Sequence, residues 1–316
     1  MGSPVAPPTP SPAADPGEAA RGRRLHYGEF YGLRPLPPDD GRPLVVVHGN
    51  CQAESLRVLL AGSMRSVRMP PVHELERSDL PHLRRTLAHA SVLVSQPVRP
   101  DYRELPLGTA QVTAALPPGA QTVLFPVMRY AGLFPFQAIV RSPVGDPPVV
   151  PYHDLRTLVQ SVTGTAVARA ASTSAYRAVA EQSLEELRSR ERRHGLVPVS
   201  DLVPRAGADA AHTVNHPGNT VLRGLAERVL ARLGRLAAVR DPGRTLLDAV
   251  HAPLAADVLD ALGLDAEPSE HWVLAGRTVP DDMVREGQLR WYAAHPEVAA
   301  AGLERHAETL RLLALT

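Results

Sequence analysis

Residues Leu44-Val45-Val46-Val47-His48 form a short, almost wholly apolar run between Pro43 and Gly49. Consecutive β-branched residues without a polar alternate suit a strand buried on both faces, which needs a layer above and a layer below it. The tight turn Gly49-Asn50 follows at once. From Cys51 to Leu60 the apolar residues Leu56, Leu59 and Leu60 then fall at helical spacing. A buried strand feeding straight into a helix is the opening of a βαβ unit.

The alternation continues downstream. Ser66–Met69 reads as a second strand, and Ser78 as the cap of a helix reaching Leu87 with Leu80, Leu83 and Leu87 on one face. Val92–Ser95 reads as a third strand, Thr109–Leu116 as a weaker helix, and Thr122–Phe125 as a fourth strand ending at Pro126. The expected fold class is α/β: a parallel sheet with flanking helices, Rossmann-like or SGNH-hydrolase-like, in the N-terminal half. A mostly helical C-terminal half follows, with helices at Asp154–Val162, within Ser172–Arg193, at Thr220–Leu233, at Leu254–Leu262, and from Pro280 onward with a break near Pro296. Leu196–Val203 fits either a strand or a loop. Residues 1–24 are rich in Pro, Ala and Gly, lack a periodic apolar face, and read as a disordered tail. The expected segments are therefore 1–24, 25–150 and 151–316, the last two meeting at the Pro-rich stretch Ser142–Pro151.

Composition removes several function classes. Lys and Arg total 34 against 33 Asp and Glu, a net charge of +1, which argues against a polybasic nucleic-acid binder. None of the 34 is lysine, so a lysine Schiff base and a Walker-type P-loop are excluded, and any phosphate must be held by Arg, His or backbone N–H. The single Cys excludes an internal disulfide framework and a cysteine zinc site. No apolar run reaches the ~18 residues of a membrane span, and no signal peptide is expected, so the expected location is cytoplasmic.

Ligands in open parallel sheets sit at the carboxyl ends of the strands. Three such ends carry chemistry here: His48-Gly49-Asn50-Cys51, Ser95-Gln96, and Pro126 followed by Met128-Arg129-Tyr130. Cys51 is placed at a helix N-terminus, where first-turn N–H groups and the helix dipole favour an anion. A lowered thiol pKa and a nucleophilic thiolate are expected there, with Gly49, Asn50 and Gln52 completing a turn like a nucleophile elbow. The N–H groups of Cys51 and Gln52, with the amide of Gln96, are candidate oxyanion donors. The competing reading makes Cys51 a small buried hydrophobe.

His212-Thr213-Val214-Asn215-His216-Pro217-Gly218-Asn219 is a second constellation. His216, in a rigid turn before a helix, suits a general base, and Asn219 suits the helix N-cap. A structural His in a Pro-Gly turn is the alternative. Arg129 and Tyr130 are candidates for holding a phosphate or a hydroxyl. Packing into the sheet is the alternative for His48, which directly precedes the turn. The run Arg188–Arg193 with Glu185, Glu186 and Glu191 reads as a solvated helix face. No metal is expected, and Asp101, Asp154 and Asp201 are unplaced as a third catalytic member.

Val45-Val46-Val47-His48-Gly49-Asn50-Cys51-Gln52 resembles the opening motif of the WcbI family of polysaccharide-biosynthesis acetyltransferases. His216-Pro217-Gly218-Asn219, opening a helix, resembles that family's His-Pro motif, and Ser95-Gln96-Pro97 and Phe125-Pro126 followed by Arg129-Tyr130 fit its layout. The resemblance runs from Pro43 to about Gly234. It implies a coenzyme A thioester as co-substrate and acyl transfer to a sugar hydroxyl, with Cys51 and His216 at the positions of the motif cysteine and histidine. The expected protein is thus an acyltransferase acting on a small-molecule donor and a sugar or metabolite acceptor. A cysteine-dependent SGNH-like esterase or thioesterase, and a non-catalytic coenzyme A or glycan-binding module, are its rivals.

Overall fold

The computed structural model describes residues 16–168, 170–235 and 238–315. Its elements run α1 (Pro16–His26), β1 (Leu44–His48), α2 (Cys51–Leu60), β2 (Arg65–Ser66), α3 (Leu80–Leu87), β3 (Val92–Ser95), α4 (Thr109–Thr113) and β4 (Gln121–Leu124). The chain continues with β5 (Gln137–Ala138), β6 (His153–Asp154), α5 (Leu155–Thr163), α6 (Thr173–His194), α7 (Leu202–Ala206), β7 (Ala211–Thr213), β8 (His216–Pro217) and α8 (Asn219–Arg232). It closes with β9 (Val250–His251), α9 (Ala256–Leu262), β10 (His271–Leu274), β11 (Arg277–Pro280), α10 (Asp281–Ala294), α11 (Pro296–Arg305) and α12 (Ala307–Leu312).

The main sheet has the order β2-β1-β3-β4 and every pair is parallel. All five residues of β1 are buried. Successive side chains leave a strand on opposite faces, and β1 divides its residues accordingly. Val45 and Val47 enter a core with Leu56, Leu59 and Leu60 of α2 and Val221, Leu222 and Leu225 of α8. Leu44 and Val46 enter a second core with Leu83 and Leu87 of α3 and with Phe30. Each such side chain contributes roughly 1.5–3 kcal/mol on full burial, so β1 is held from both sides, as its sequence requires. His48 is paired with Ser95, and Ser95 with Leu124, which brings three strand ends level.

The segments expected at 25–150 and 151–316 share one core: the cluster containing Val45 and Val94 also contains Val229, Leu246 and Trp272. A third cluster, around Phe136, Leu158, Tyr176 and Tyr292, packs α5, α6, α10 and α11 together.

Several local expectations are corrected. Residues 16–24 are not tail but helix α1, tied down by an Arg23–Asp79 salt bridge of 2.9 Å; residues 1–15 lie outside the described residues. β2 is only Arg65–Ser66. Ser78 does not cap α3, because Glu76 and Asp79 form a capping box around the preceding single turn. Of the two readings open for Leu196–Val203, the loop holds over 196–201, with α7 from Leu202; it is held by buried Glu191, whose carboxylate accepts from Val199 N–H (2.7 Å), Ser200 N–H (2.9 Å) and Ser200 Oγ (2.6 Å). Glu191 therefore leaves the solvated face assigned to it, while Arg188 and Arg192 remain there on Glu181 and Glu185. No helix among the described residues is long and apolar enough to cross a membrane.

Candidate active site

Asn50 caps α2: its backbone is extended (φ −80°, ψ −162°) and its Oδ1 accepts from Gln52 N–H at 2.9 Å. Cys51 is consequently the first residue of the helix, at the carboxyl end of β1. Gly49 has to be glycine because an added Cβ would lie 2.5 Å from Gln96 Oε1. That close packing lets Gln96 Oε1 accept from Asn50 N–H at 2.8 Å, which holds the turn from the neighbouring strand end.

Gln52 and Gln96 are positioning groups. Both are buried, at 1% and 2% exposure. Gln52 Nε2 donates to Met128 O and to Asn215 O, each at 2.8 Å, and its Oε1 accepts from Met128 N–H (3.0 Å) and Gln96 Nε2 (3.1 Å). These partners consume both amides, so the oxyanion role expected of Gln96 is not available to it, and Gln52 N–H is held by Asn50. Asn219 is likewise corrected. Gly218 is the N-cap of α8, while the Asn219 amide donates to Arg244 O (2.9 Å) and accepts from Leu246 N–H (2.8 Å).

The Gln52–Asn215 bond brings the His216 turn to the Cys51 turn. His216 is part-buried, and that burial lowers its pKa below the ordinary imidazole value. The Val250 carbonyl opposes the shift, and His251 adds to it. At neutral pH His216 is therefore unprotonated and able to accept a proton. Its Nε2 lies 3.5 Å from the hydroxyl of Tyr152.

For Cys51 the structure reverses the expected shift. Burial pushes its thiol up, outweighing the Gln52 and Cys51 N–H groups that favour the thiolate, and nearby Glu74 pushes it the same way as burial. Desolvation disfavours the charged form more than one helix end supports it. The resting group is a thiol.

Tyr152 escaped the sequence reading. Its hydroxyl donates to Asn215 Oδ1 (2.8 Å) and lies 2.9 Å from Thr213 Oγ1, and its ring stacks on Trp272 with centroids 6.0 Å apart. Burial, its largest influence, pushes its pKa up to about 12, and a Cys51 thiolate adds to that shift. It is a neutral phenol beside His216 and close enough to Cys51 to feel its charge. Nothing in Val149-Val150-Pro151-Tyr152 marks such a role.

The unplaced aspartates are engaged elsewhere. Asp154 caps α5 and pairs with Arg156, Asp201 pairs with Arg228, and Asp101 accepts from Gln111. His48 packs into the sheet, its Nε2 2.9 Å from Leu107 O. No group of three or more His, Cys, Asp or Glu among the described residues is arranged to hold a metal.

Two regions lie beside the Gln52 network. In one, Arg129 directly follows Met128, a partner of Gln52; Arg141, Arg190 and Arg305 stand around it, Glu186 opposes them, and burial and the like charges depress its pKa. Arg190 Nε and Nη2 are buried with no hydrogen-bond partner among the described residues, its Nη1 lying 3.8 Å from Glu186. Tyr130 beside it packs its ring over Gly132 and against the core. In the other a cleft of about 290 Å³ opens between α2, residues 68–74 and residues 244–247, with Cys51 and Asn50 in its wall.

The model of the polysaccharide biosynthesis enzyme WcbI matches residues 44–237. The chain belongs to the WcbI family. A solved structure described as WcbI, a novel polysaccharide biosynthesis enzyme, superposes with a TM-score of 0.72 over 87% of this chain and 97% of that one, at 20% identity. It is described as native protein without a disulfide bond between coenzyme A and a cysteine of that protein. No curated protein sequence matches the chain. The WcbI match begins at the first residue of β1 and ends just beyond α8, so it takes in both the Cys51 and His216 turns. The α/β fold is thus that of the WcbI enzymes, and α9 to α12 lie beyond the matched segment.

Proposed function

We propose that this WcbI family member transfers an acyl group from a coenzyme A thioester to a hydroxyl of a sugar or glycosylated metabolite. The observation that carries the reading is the direct bond from Gln52 to Asn215, which joins the turn of the only thiol to the turn preceding an unprotonated, part-buried His216. The neighbour's description, which names coenzyme A together with a cysteine, supports a thioester donor whose sulfur lies at Cys51. The residues present fit such a donor: coenzyme A carries a pyrophosphate and a 3′-phosphate, and Arg129, Arg141, Arg190 and Arg305 form a flank with little counter-charge.

In this mechanism His216 takes the Cys51 proton as the sulfur attacks the acyl carbonyl. The thioester bond breaks, and the departing coenzyme A thiolate takes the proton back from His216. The acceptor hydroxyl then gives its proton to His216 while its oxygen attacks the acyl-cysteine. Cys51 leaves as thiolate and is reprotonated by His216. This splits one transfer into two easier steps. The Cys51 N–H and the Asn50 Nδ2, which has no other partner among the described residues, are the donors for the tetrahedral oxyanion. Tyr152 keeps the Asn215-His216 turn in register.

The raised thiol pKa favours a second reading, direct transfer, in which His216 deprotonates the acceptor and Cys51 only contacts the donor. Intact-protein mass after brief exposure to acetyl-coenzyme A separates the two. With one thiol and no lysine, Cys51 is the single side-chain thiol or amine that can carry an added acetyl group, and Cys51→Ala distinguishes it from a hydroxyl ester. An adduct lost in Cys51→Ala is the expected result. Transfer at an undiminished rate in Cys51→Ala would establish the direct route, and hydrolysis unaffected by any hydroxyl acceptor would make the protein a thioesterase.

A further inference from the structure

The cleft beside Cys51 differs in charge from the arginine flank. Its lining contains two carboxylates, Glu54 and Glu74, and three guanidiniums, Arg57, Arg68 and Arg244. Glu54 is saturated: Arg57 grips it at 2.6 and 2.8 Å and Arg68 at 3.0 Å. Glu74 has no guanidinium partner among the described residues, its side chain is half exposed, and it lies near enough to Cys51 to act on the thiol. Around it, Arg68 and Arg244 present N–H donors, Tyr27 at the end of α1 presents a ring, and Asn50 and Cys51 close the inner wall. A hydroxyl both donates and accepts, and a wall that alternates carboxylate with guanidinium satisfies several adjacent hydroxyls at once. An anion placed here would meet Glu74, whereas the arginine flank sets four guanidiniums against Glu186.

Building on the acyl-transfer reading above, we infer that this cleft is the acceptor subsite and that it takes an uncharged polyhydroxylated ring, a neutral sugar, with Glu74 accepting a hydrogen bond from one of its hydroxyls. The acceptor then approaches Cys51 from the α2 side and the donor phosphates from the Arg129 side. The two substrates do not compete for one charge field.

The lone thiol provides the test, because the alkylation rate of the intact protein by iodoacetamide reports Cys51 alone. Neutral methyl glycosides of hexoses should slow the alkylation, and the methyl glycoside of a hexuronic acid should fail to at the same concentration. Glu74→Ala should raise the protecting concentration of the neutral glycoside about tenfold, the cost of one hydrogen bond to a charged group. A thermal melt and protection by coenzyme A check that the variant is folded. The inference is overturned if the uronide protects as well as the neutral glycosides, if no neutral glycoside protects while coenzyme A does, or if Glu74→Ala leaves glycoside protection unchanged. Should coenzyme A give no protection and acetyl-coenzyme A no acyl adduct while glycoside protection still depends on Glu74, the donor reading fails and the sugar site stands.

Discussion

The side-chain amide of Gln52 donates a 2.8 Å hydrogen bond to the backbone carbonyl of Asn215, a residue 163 positions further along the chain. One buried side chain thereby fixes the distance between two turns that belong to different halves of the sequence.

Gln52→Ala should be costly. It leaves Met128 N–H and the carbonyls of Met128 and Asn215 without their partner in a buried setting, and each such loss costs about 1–3 kcal/mol. We expect about 3 kcal/mol of destabilisation in denaturant melts and a much lower rate of any Cys51 acylation. A variant as stable as the parent would show that water replaces the amide freely.

Cys51 should alkylate slowly at neutral pH, with a midpoint above the ordinary thiol value, since its burial favours the protonated form. The linkage follows the same sign. A folded-state pKa above the unfolded one stabilises the protein below the unfolded value, and that stability is lost as pH rises through the folded value. Cys51→Ala should flatten this alkaline decline in melting temperature. A midpoint well under the ordinary thiol value would mean that the helix end prevails after all.

Acid should weaken the fold before most carboxylates titrate. Burial lowers the pKa of His216 and His48 and takes His153 and His212 down to about 4. Their unfolded counterparts bind protons first, so stability present above pH ~6.5 falls as pH drops toward the folded values. Urea melts from pH 7.5 to 4.5 should show a steady decline, and NMR titration should find His212 still neutral at pH 5.5. A histidine-region plateau in stability would contradict both.

Tyr152→Phe keeps the ring stacked on Trp272 and removes only the hydroxyl, so it should fold normally, within about 1 kcal/mol of the parent. Acyl transfer should nonetheless fall about tenfold or more, with its pH profile displaced, because Asn215 and His216 lose a shared neighbour. An unchanged pH profile and rate would leave Tyr152 as packing alone.

Much of this site was legible because it is local. The strand, the Gly49-Asn50 turn and the first turn of α2 are contiguous, whereas His216-Pro217, read as a turn, folds as the short strand β8 leading into α8. Tyr152, Glu74 and Arg141 were not legible, since each reaches the site through a loop whose path depends on packing elsewhere. The sign of the Cys51 shift failed for a related reason. A helix N-terminus is visible in sequence, but the depth at which it sits is not. Gln96 and Asn219 carry the side chains an oxyanion hole or a cap would use, yet partners supplied by the tertiary fold claim them first. The helix at Pro16–His26 was hidden by its composition, its anchor being the distant Asp79.

That helix matters for how the protein is produced. Trimming the gene to the span that matches the family model, 44–237, would delete Tyr27 from one wall of the Cys51 cleft, Arg244 and Leu246 from another, and Trp272 from behind Tyr152. Such a fragment would keep both motif segments and lose the surfaces that give them something to act on.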